Sequence, residues 1–292
     1  MPPVTKNLLI INLLVFLASL AVRGINMDLT SLFGLHFVLA SQFQPWQLLT
    51  YMFLHANFEH IFFNMFALWM FGRVIEQVLG SRRFLIYYLI CGMGAGVMQE
   101  LAQTVSFYLS GISQYPMDQI APYLNSWTTV GASGAVYGVL LAFGYIFPNE
   151  RMFIIPIPFP IKAKYFVVGY ALIELLSVVA RSNDGVAHVA HLGGMLFGWM
   201  LLRRWKSHPY DSWTNEILGK LRAWFRGEGR ERKSTRYERR EHSGRFTDEM
   251  DYNARKQARQ AEVDRILAKV KQHGYGSLTE DEKRKLFDAS NE

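Results

Sequence analysis

Residues 131–138 read Gly131-Ala132-Ser133-Gly134-Ala135-Val136-Tyr137-Gly138, and a later apolar run carries Ala190-His191-Leu192-Gly193-Gly194-Met195-Leu196-Phe197-Gly198. In the first, Gly134 and Gly138 stand four apart. In the second, His191, Gly194 and Gly198 fall at i, i+3 and i+7, so one helical face carries an imidazole above a groove of small residues. Lipid tails are as apolar as leucine, so helices in a bilayer associate by close packing, which glycine faces permit. The two stretches are expected to be membrane helices docked through those faces, each bringing a polar side chain into the protein interior.

The rest of the chain fits that expectation. Its 292 residues combine a very apolar part ending near Trp205 with a strongly charged remainder, so the mean hydropathy of +0.07 averages two unlike segments. A helix crossing a hydrocarbon core about 30 Å thick needs roughly 20 apolar residues, because only helices and closed barrels satisfy their backbone there. Six spans are read, over 7–22, 48–71, 84–108, 133–147, 165–180 and 186–205. The first run, preceded by Lys6, also has the makings of a signal peptide; the membrane spans after it favour a retained helix. The fourth is short: from Ser133 to Phe147 a helix rises only about 22 Å, which sets the serine below the outer surface. Cys91 is the single cysteine, so no internal disulfide forms, and its apolar surroundings mark it as a buried, inert thiol.

Positive charge stays on the cytoplasmic side. Lys6, then Arg73, Arg82 and Arg83, then Arg151, Lys162 and Lys164, then Arg203, Arg204 and Lys206 precede the first span and follow the second, fourth and sixth, so both termini are expected to be cytoplasmic, in a bacterial plasma membrane. The outer loops, over 24–45, 111–127 and 181–185, carry little positive charge. In the first of them Asn26, Asp28, Phe33, Phe37, Phe43 and Trp46 suit an interfacial segment. Ile155-Pro156-Ile157-Pro158-Phe159-Pro160 cannot continue a helix and reads as an extended connector. The chain divides into a membrane core over 1–206, a charged juxtamembrane linker over 207–255 and a small helical hairpin over 256–292. Within the linker, the Gly-, Arg- and Glu-rich stretch 226–245 reads as disordered. In the hairpin Val263, Ile266, Leu267 and Val270 recur at helical spacing, Gly274 is a stop, and Thr279 with Glu282 forms a capping box before a helix containing Leu286 and Phe287.

Polar groups inside membrane spans are costly and mark function. A serine hydroxyl needs a base to become a nucleophile, and an imidazole in hydrogen-bond reach supplies one. Ser133 and His191 are the candidates. No carboxylate lies near them in sequence, so the reading is a dyad, with Tyr137, one turn after Ser133, stacked on the imidazole to orient it. On the second span His60 and Asn64 share a face at i and i+4 and, with the Ser133 backbone N–H, offer three donors to an oxyanion. His55 and His188 are read as structural or water-network residues. No cofactor and no metal ion is required.

These residues together resemble the rhomboid family of intramembrane serine proteases: the GxSG segment at Ser133, the AHxxGxxxG helix at His191 and the His-x3-Asn pair at His60 and Asn64 occur in that family's span order. The resemblance covers about 8 to 205. It implies an all-α membrane protein with six helices around a water-filled cavity. It also implies a serine endopeptidase that hydrolyses peptide bonds in or near transmembrane segments. Nucleophile and base fall on Ser133 and His191, the oxyanion donors on His60, Asn64 and the Ser133 amide, the stacking tyrosine on Tyr137, and the small residue before the motif on Gly131; Gly134, Gly194 and Gly198 support the packing. The partners implied are membrane-protein substrates and the bilayer, with no nucleic acid. One departure stands out: the family often has Trp-Arg in the first outer loop, and here Trp46 is followed by Gln47, which predicts altered anchoring of that loop.

Two other classes fit parts of the pattern. A catalytically silent rhomboid-like protein that binds membrane clients typically lacks the serine or the histidine, and this chain has both. A metalloprotease using His55, His60, His188 and His191 lacks the HExxH spacing that sets two histidines and a glutamate on one helix face.

Overall fold

Glycine and small-residue faces set the centre of the fold. In the computed structural model, which describes residues 1–153, 159–180, 185–208, 262–263, 265–267, 269–270 and 277–290, the chain forms two units, 1–243 and 244–292. The first unit begins with α1 (Pro3–Arg23), a short α2 (Leu29–Phe33) and β1 (Leu35–His36). Next come α3 (Gln47–Thr50), a single 3₁₀ turn (Tyr51–Phe53) and α4 (Phe58–Ala67), which runs through one wide π turn into α5 (Arg73–Leu79). Then follow α6 (Ser81–Leu109), α7 (Met117–Asn125), β2 (Thr128–Thr129) and α8 (Ser133–Ile146). The two-residue strands β3 (Arg151–Met152) and β4 (Ile161–Lys162) lead to α9 (Ala163–Val179) and α10 (His188–Ser207). Helices α6, α8 and α10 form the central layer, with α9 against α8 and α10.

Among the described residues three helices, Pro3–Arg23, Phe58–Leu79 and Ser81–Leu109, are long and apolar enough to cross a membrane, and Ser133–Ile146 is a shorter apolar helix. The patterning is that of a protein solvated by hydrocarbon. Leu13, Leu17, Phe62, Phe66, Leu172 and Leu176 are exposed, while Thr5, Asn12, Asn64, Glu76 and Glu174 are buried.

Close approach in the centre is made by glycine. A Cβ on Gly194 would collide with the Gly134 carbonyl oxygen, so α8 and α10 touch backbone to backbone there. Gly138 also borders α10, its Cβ position 3.2 Å from the Gly194 carbonyl oxygen, and it packs against the buried Cys91 thiol of α6 as well, 2.5 Å from the sulfur. Gly198 departs from the expected docking face and packs on α6, its Cβ position 3.1 Å from the same sulfur.

The second span is also corrected at both ends. Residues 47–53 are not its start but separate helical turns, tied to α6 by the Tyr51 hydroxyl donating to Gly92 O at 2.6 Å. An extended stretch at Leu54 and Asn57 intervenes, and the Asn57 side chain caps α4 by accepting from His60 N at 2.8 Å. At the far end Arg73 does not stop the helix. Its guanidinium lies over the Trp69 ring, 4.8 Å from the centroid, and the helix runs on to Gly80, whose φ of 76° makes the turn.

Glu76 locks this end together. Its carboxylate accepts from Val4 N at 2.9 Å, Thr5 N at 2.7 Å, the Thr5 hydroxyl at 2.7 Å and the Ser81 hydroxyl at 2.7 Å. An anion at a helix N-terminus meets the positive end of its dipole, and here the same anion joins α1, α5 and α6.

The loop after α1, read from its aromatic and small polar residues as an interfacial segment, carries a packed core of its own. Phe37 and Ala40 pack with Phe107, Ile120 and Leu124 in a satellite core, and β1 pairs antiparallel with β2, Leu35 against Thr129. Gln47 anchors the loop. Fully buried, it accepts from Gln44 N at 3.0 Å and His36 N at 3.3 Å and donates to Gln42 O at 3.0 Å and Leu32 O at 3.3 Å.

Strands β3 and β4 pair Arg151 with Lys162 at the base of the connector, whose centre at 154–158 lies outside the described residues, as do 181–184, the linker segment 226–245 and Gly274. In the second unit residues 262–263, 265–267 and 269–270 are helical, and a C-terminal helix spans Glu280–Ser290. Its capping box forms: Thr279 N donates to Glu282 Oε2 at 2.9 Å, and Glu282 N to the Thr279 hydroxyl at 3.3 Å.

Candidate active site

Ser133 is the first residue of α8, so its backbone N–H belongs to the turn that has no intrahelical acceptor. The approach to it is fixed by Gly131, whose φ of 130° suits glycine and whose N–H donates to Tyr51 O at 3.0 Å. His191 lies in the first turn of α10 and is 6% exposed. The Gly134–Gly194 contact brings these helix starts side by side, and Ser133 Oγ lies 2.8 Å from His191 Nε2. Tyr137, one turn on, stacks on the imidazole with centroids 4.2 Å apart and planes 8° from parallel.

The His60 imidazole lies over Gly131. A Cβ there would sit 2.7 Å from both Cε1 and Nε2, so the glycine also makes room for this ring. Ala56 N approaches His60 Nδ1 at 3.5 Å, leaving Nε2 as the ring N–H. Asn64 is buried below and donates from Nδ2 to His60 O at 2.8 Å, which employs one of its two amide hydrogens. His60, Asn64, Ser133, Tyr137, His188 and His191 line one open cavity between α4, α8 and α10. Every residue expected at the site therefore borders the same space, except the packing residues Gly194 and Gly198 behind it.

His55, a further histidine beside His60, is 5% exposed and meets that ring edge to face, 5.1 Å between centroids. Neither of its ring nitrogens has a hydrogen-bond partner among the described residues.

Sequence reasoning found no carboxylate for this group, and there the structure differs. Glu174, on α9 and 4% exposed, reaches in from the side. Its Oε1 accepts from the Tyr137 hydroxyl. Its Oε2 lies 2.6 Å from His188 Nδ1 and 3.0 Å from His191 Nδ1. The first contact is a well-formed hydrogen bond. The second has the distance but is not in line with the Nδ1–H direction, so His191 Nδ1 is left without a formed bond. The signal was available: Glu174 is the one acidic residue between 163 and 180.

Glu174, His188 and His191 are metal-ligand types whose donor atoms lie within 4.8 Å of one another. Two donors bound to one tetrahedral zinc at 2.0–2.1 Å would stand about 3.4 Å apart. The 2.6 Å between Glu174 and His188 is a hydrogen-bond length, so the cluster as folded is linked by protons.

Comparison with known proteins agrees with the fold. The rhomboid domain family matches residues 42–204, and a family of unknown function, DUF6576, matches 247–292. Rhomboid protein 1, mitochondrial, of Saccharomyces cerevisiae is 31% identical over 160 residues, covering 51% of this chain and 40% of that protein. Rhomboid protease GluP of Bacillus subtilis is 31% identical over 165 residues, 55% of this chain and 26% of the relative. Rhomboid protease AarA of Providencia stuartii is 29% identical over 159 residues, 53% and 54% of the two chains. The match thus spans less than two thirds of each relative. With a family domain over more than half of its length, on a helical core with apolar helices fit to cross a membrane, the chain belongs to the rhomboid family.

Proposed function

We propose that this protein is an intramembrane serine endopeptidase with Ser133 as nucleophile and His191 as general base, carried by six membrane-crossing helices with both termini cytoplasmic. The observation that carries the reading is the 2.8 Å contact between Ser133 Oγ and His191 Nε2 at the edge of an open cavity.

The chemistry follows from the donors present. Ser133 Oγ–H gives its proton to His191 Nε2 as the oxygen attacks the scissile carbonyl carbon. The oxyanion is met by the Ser133 N–H, the His60 Nε2–H and the second Asn64 amide hydrogen. The proton on Nε2 then passes to the leaving amine, the C–N bond breaks and an acyl-serine remains. Water, deprotonated by the same nitrogen, hydrolyses it. Tyr137 holds the ring plane throughout. The substrate is a membrane protein whose helix is unwound near the scissile bond, since an intact helix hides its carbonyls in internal hydrogen bonds. No cofactor enters this scheme.

The test is fluorophosphonate labelling and cleavage of a transmembrane substrate by the purified wild type beside Ser133→Ala and His191→Ala. Both variants are expected to lose labelling and to lower kcat by about 10⁶-fold, as in other serine hydrolases. Undiminished cleavage by Ser133→Ala refutes the assignment. A folded wild type that neither labels nor cleaves moves the protein to the client-binding reading.

A further inference from the structure

We infer that Glu174 is a positioning residue for His191, so that the working group is Ser133–His191–Glu174 and not a pair. The inference rests on the assignment of Ser133 and His191 above.

A carboxylate on a membrane helix is expensive to keep unless it is paired. The polar partners of Glu174 come from the two helices that bear the reacting groups. Tyr137 of α8 donates to Oε1, and His188 and His191 of α10 meet Oε2 at 2.6 and 3.0 Å. A buried carboxylate beside Nδ1 favours the tautomer with its hydrogen on Nδ1. That leaves the Nε2 lone pair facing Ser133 Oγ at 2.8 Å, the arrangement a general base needs.

His191 Nδ1 is buried and lacks a formed hydrogen bond, and a buried N–H without a partner is an uncommon and costly state. An oxygen 3.0 Å away offers the partner, and a carboxylate oxygen has lone pairs for both His188 and His191. The contact is off line in the resting protein. When Nε2 takes the serine proton the ring becomes cationic, and the N–H to carboxylate bond is then charge-assisted and stronger. One proton moves from Ser133 Oγ to Nε2, the Nδ1 hydrogen stays in place, and none passes to Glu174. Tyr137 therefore has two tasks, stacking on the base and tethering the carboxylate that orients it.

The experiment compares wild type, Ser133→Ala, Glu174→Gln and Glu174→Asp of the full chain in detergent. It reads kcat, KM, fluorophosphonate labelling rate and melting temperature, with ¹H–¹⁵N spectra of the His191 ring. Glu174→Gln is expected to lower kcat and labelling by roughly 10²- to 10⁴-fold while KM stays within about threefold, and Glu174→Asp to regain at least about tenfold of the loss. With the His191 ring protonated at low pH, a low-field Nδ1–H resonance is expected in wild type and Ser133→Ala but not in Glu174→Gln. Wild-type kcat in Glu174→Gln overturns the inference. So does equal loss in the Gln and Asp variants accompanied by a lowered melting temperature, which marks a mere helix brace. If Glu174→Gln does not fold, the wild-type spectrum decides, and absence of the low-field proton overturns the assignment. Cleavage surviving in Ser133→Ala counts against the nucleophile and not against the carboxylate.

Discussion

Contact between Gly134 and Gly194 is what lets a serine on one helix meet an imidazole on another. Their side-by-side position was legible because each glycine stands at a fixed helical offset from a reacting residue, Gly134 next to Ser133 and Gly194 at i+3 from His191. Tyr137 was legible for the same reason. Glu174 was not, because its partner Tyr137 is 37 residues away and no local periodicity links α9 to α8 or α10; only its cost in an apolar run points to it. The glycine contact makes a sharp prediction. In Gly194→Ala the new methyl group meets the Gly134 carbonyl, backbone that cannot swing aside, so overpacking is expected to cost about 1–3 kcal/mol and to slow labelling of Ser133. Gly169→Ala on α9 is the control: nothing lies within 4 Å of its Cβ position, and alanine favours the helix. Melting temperature and labelling rate check both. Equal behaviour of the two variants would sink the argument.

At the scale of the element, the other apolar helices were read to within about four residues at their ends, whereas the second span, read over 48–71, runs over Phe58–Leu79, and errors gathered where tertiary contacts decide. Residues 48–53 are as apolar as a membrane helix, yet the extended stretch ending at the Asn57 cap splits them off, and Tyr51 binds them to α6. Short α2 and α7 and the two strand pairs were missed altogether, since elements of two to nine residues hold by packing and pairing and not by periodicity. Gln47 was expected to alter the anchoring of its loop, and four hydrogen bonds made by its one buried amide brace that loop. The capping box before Glu280–Ser290 was legible from Thr279 and Glu282 alone, and it carries a pH prediction. Lys269, hydrogen-bonded to the Glu282 carboxylate, and then the Thr279 amide hold that carboxyl down at about 2, from an ordinary 4.5. A depressed folded value means the stabilisation is present above about 4.5 and is lost as pH falls towards 2. Amide exchange over residues 279–285, corrected for intrinsic rates, is expected to lose protection across that window. In Glu282→Gln the protection should be lower and flat with pH; an unchanged slope in the variant would assign the effect elsewhere.

At the scale of the whole molecule, the described residues combine an apolar core with many exposed apolar side chains and a few buried polar ones, and the long apolar runs that supply that exposed surface were legible in the sequence. The number of crossings is the step that composition alone leaves to experiment. Helix α8 has 14 residues, a rise of about 21 Å, less than the roughly 30 Å hydrocarbon thickness. It can still complete a crossing, because its N-terminal end opens into a protein-lined cavity where backbone groups need not face lipid. Six crossings with cytoplasmic termini place residues 25 and 115 on one side, since two crossings, α4–α5 and α6, separate them. Residue 207 then lies on the other side, three crossings after residue 115. Native Cys91 is fully buried, so a membrane-impermeant maleimide reports introduced cysteines alone. Ile25→Cys and Tyr115→Cys are expected to label from outside intact cells, and Ser207→Cys only in inverted vesicles or after permeabilisation. Labelling of positions 115 and 207 from the same side would mean that an even number of α8, α9 and α10 cross, and the count of six crossings would fall.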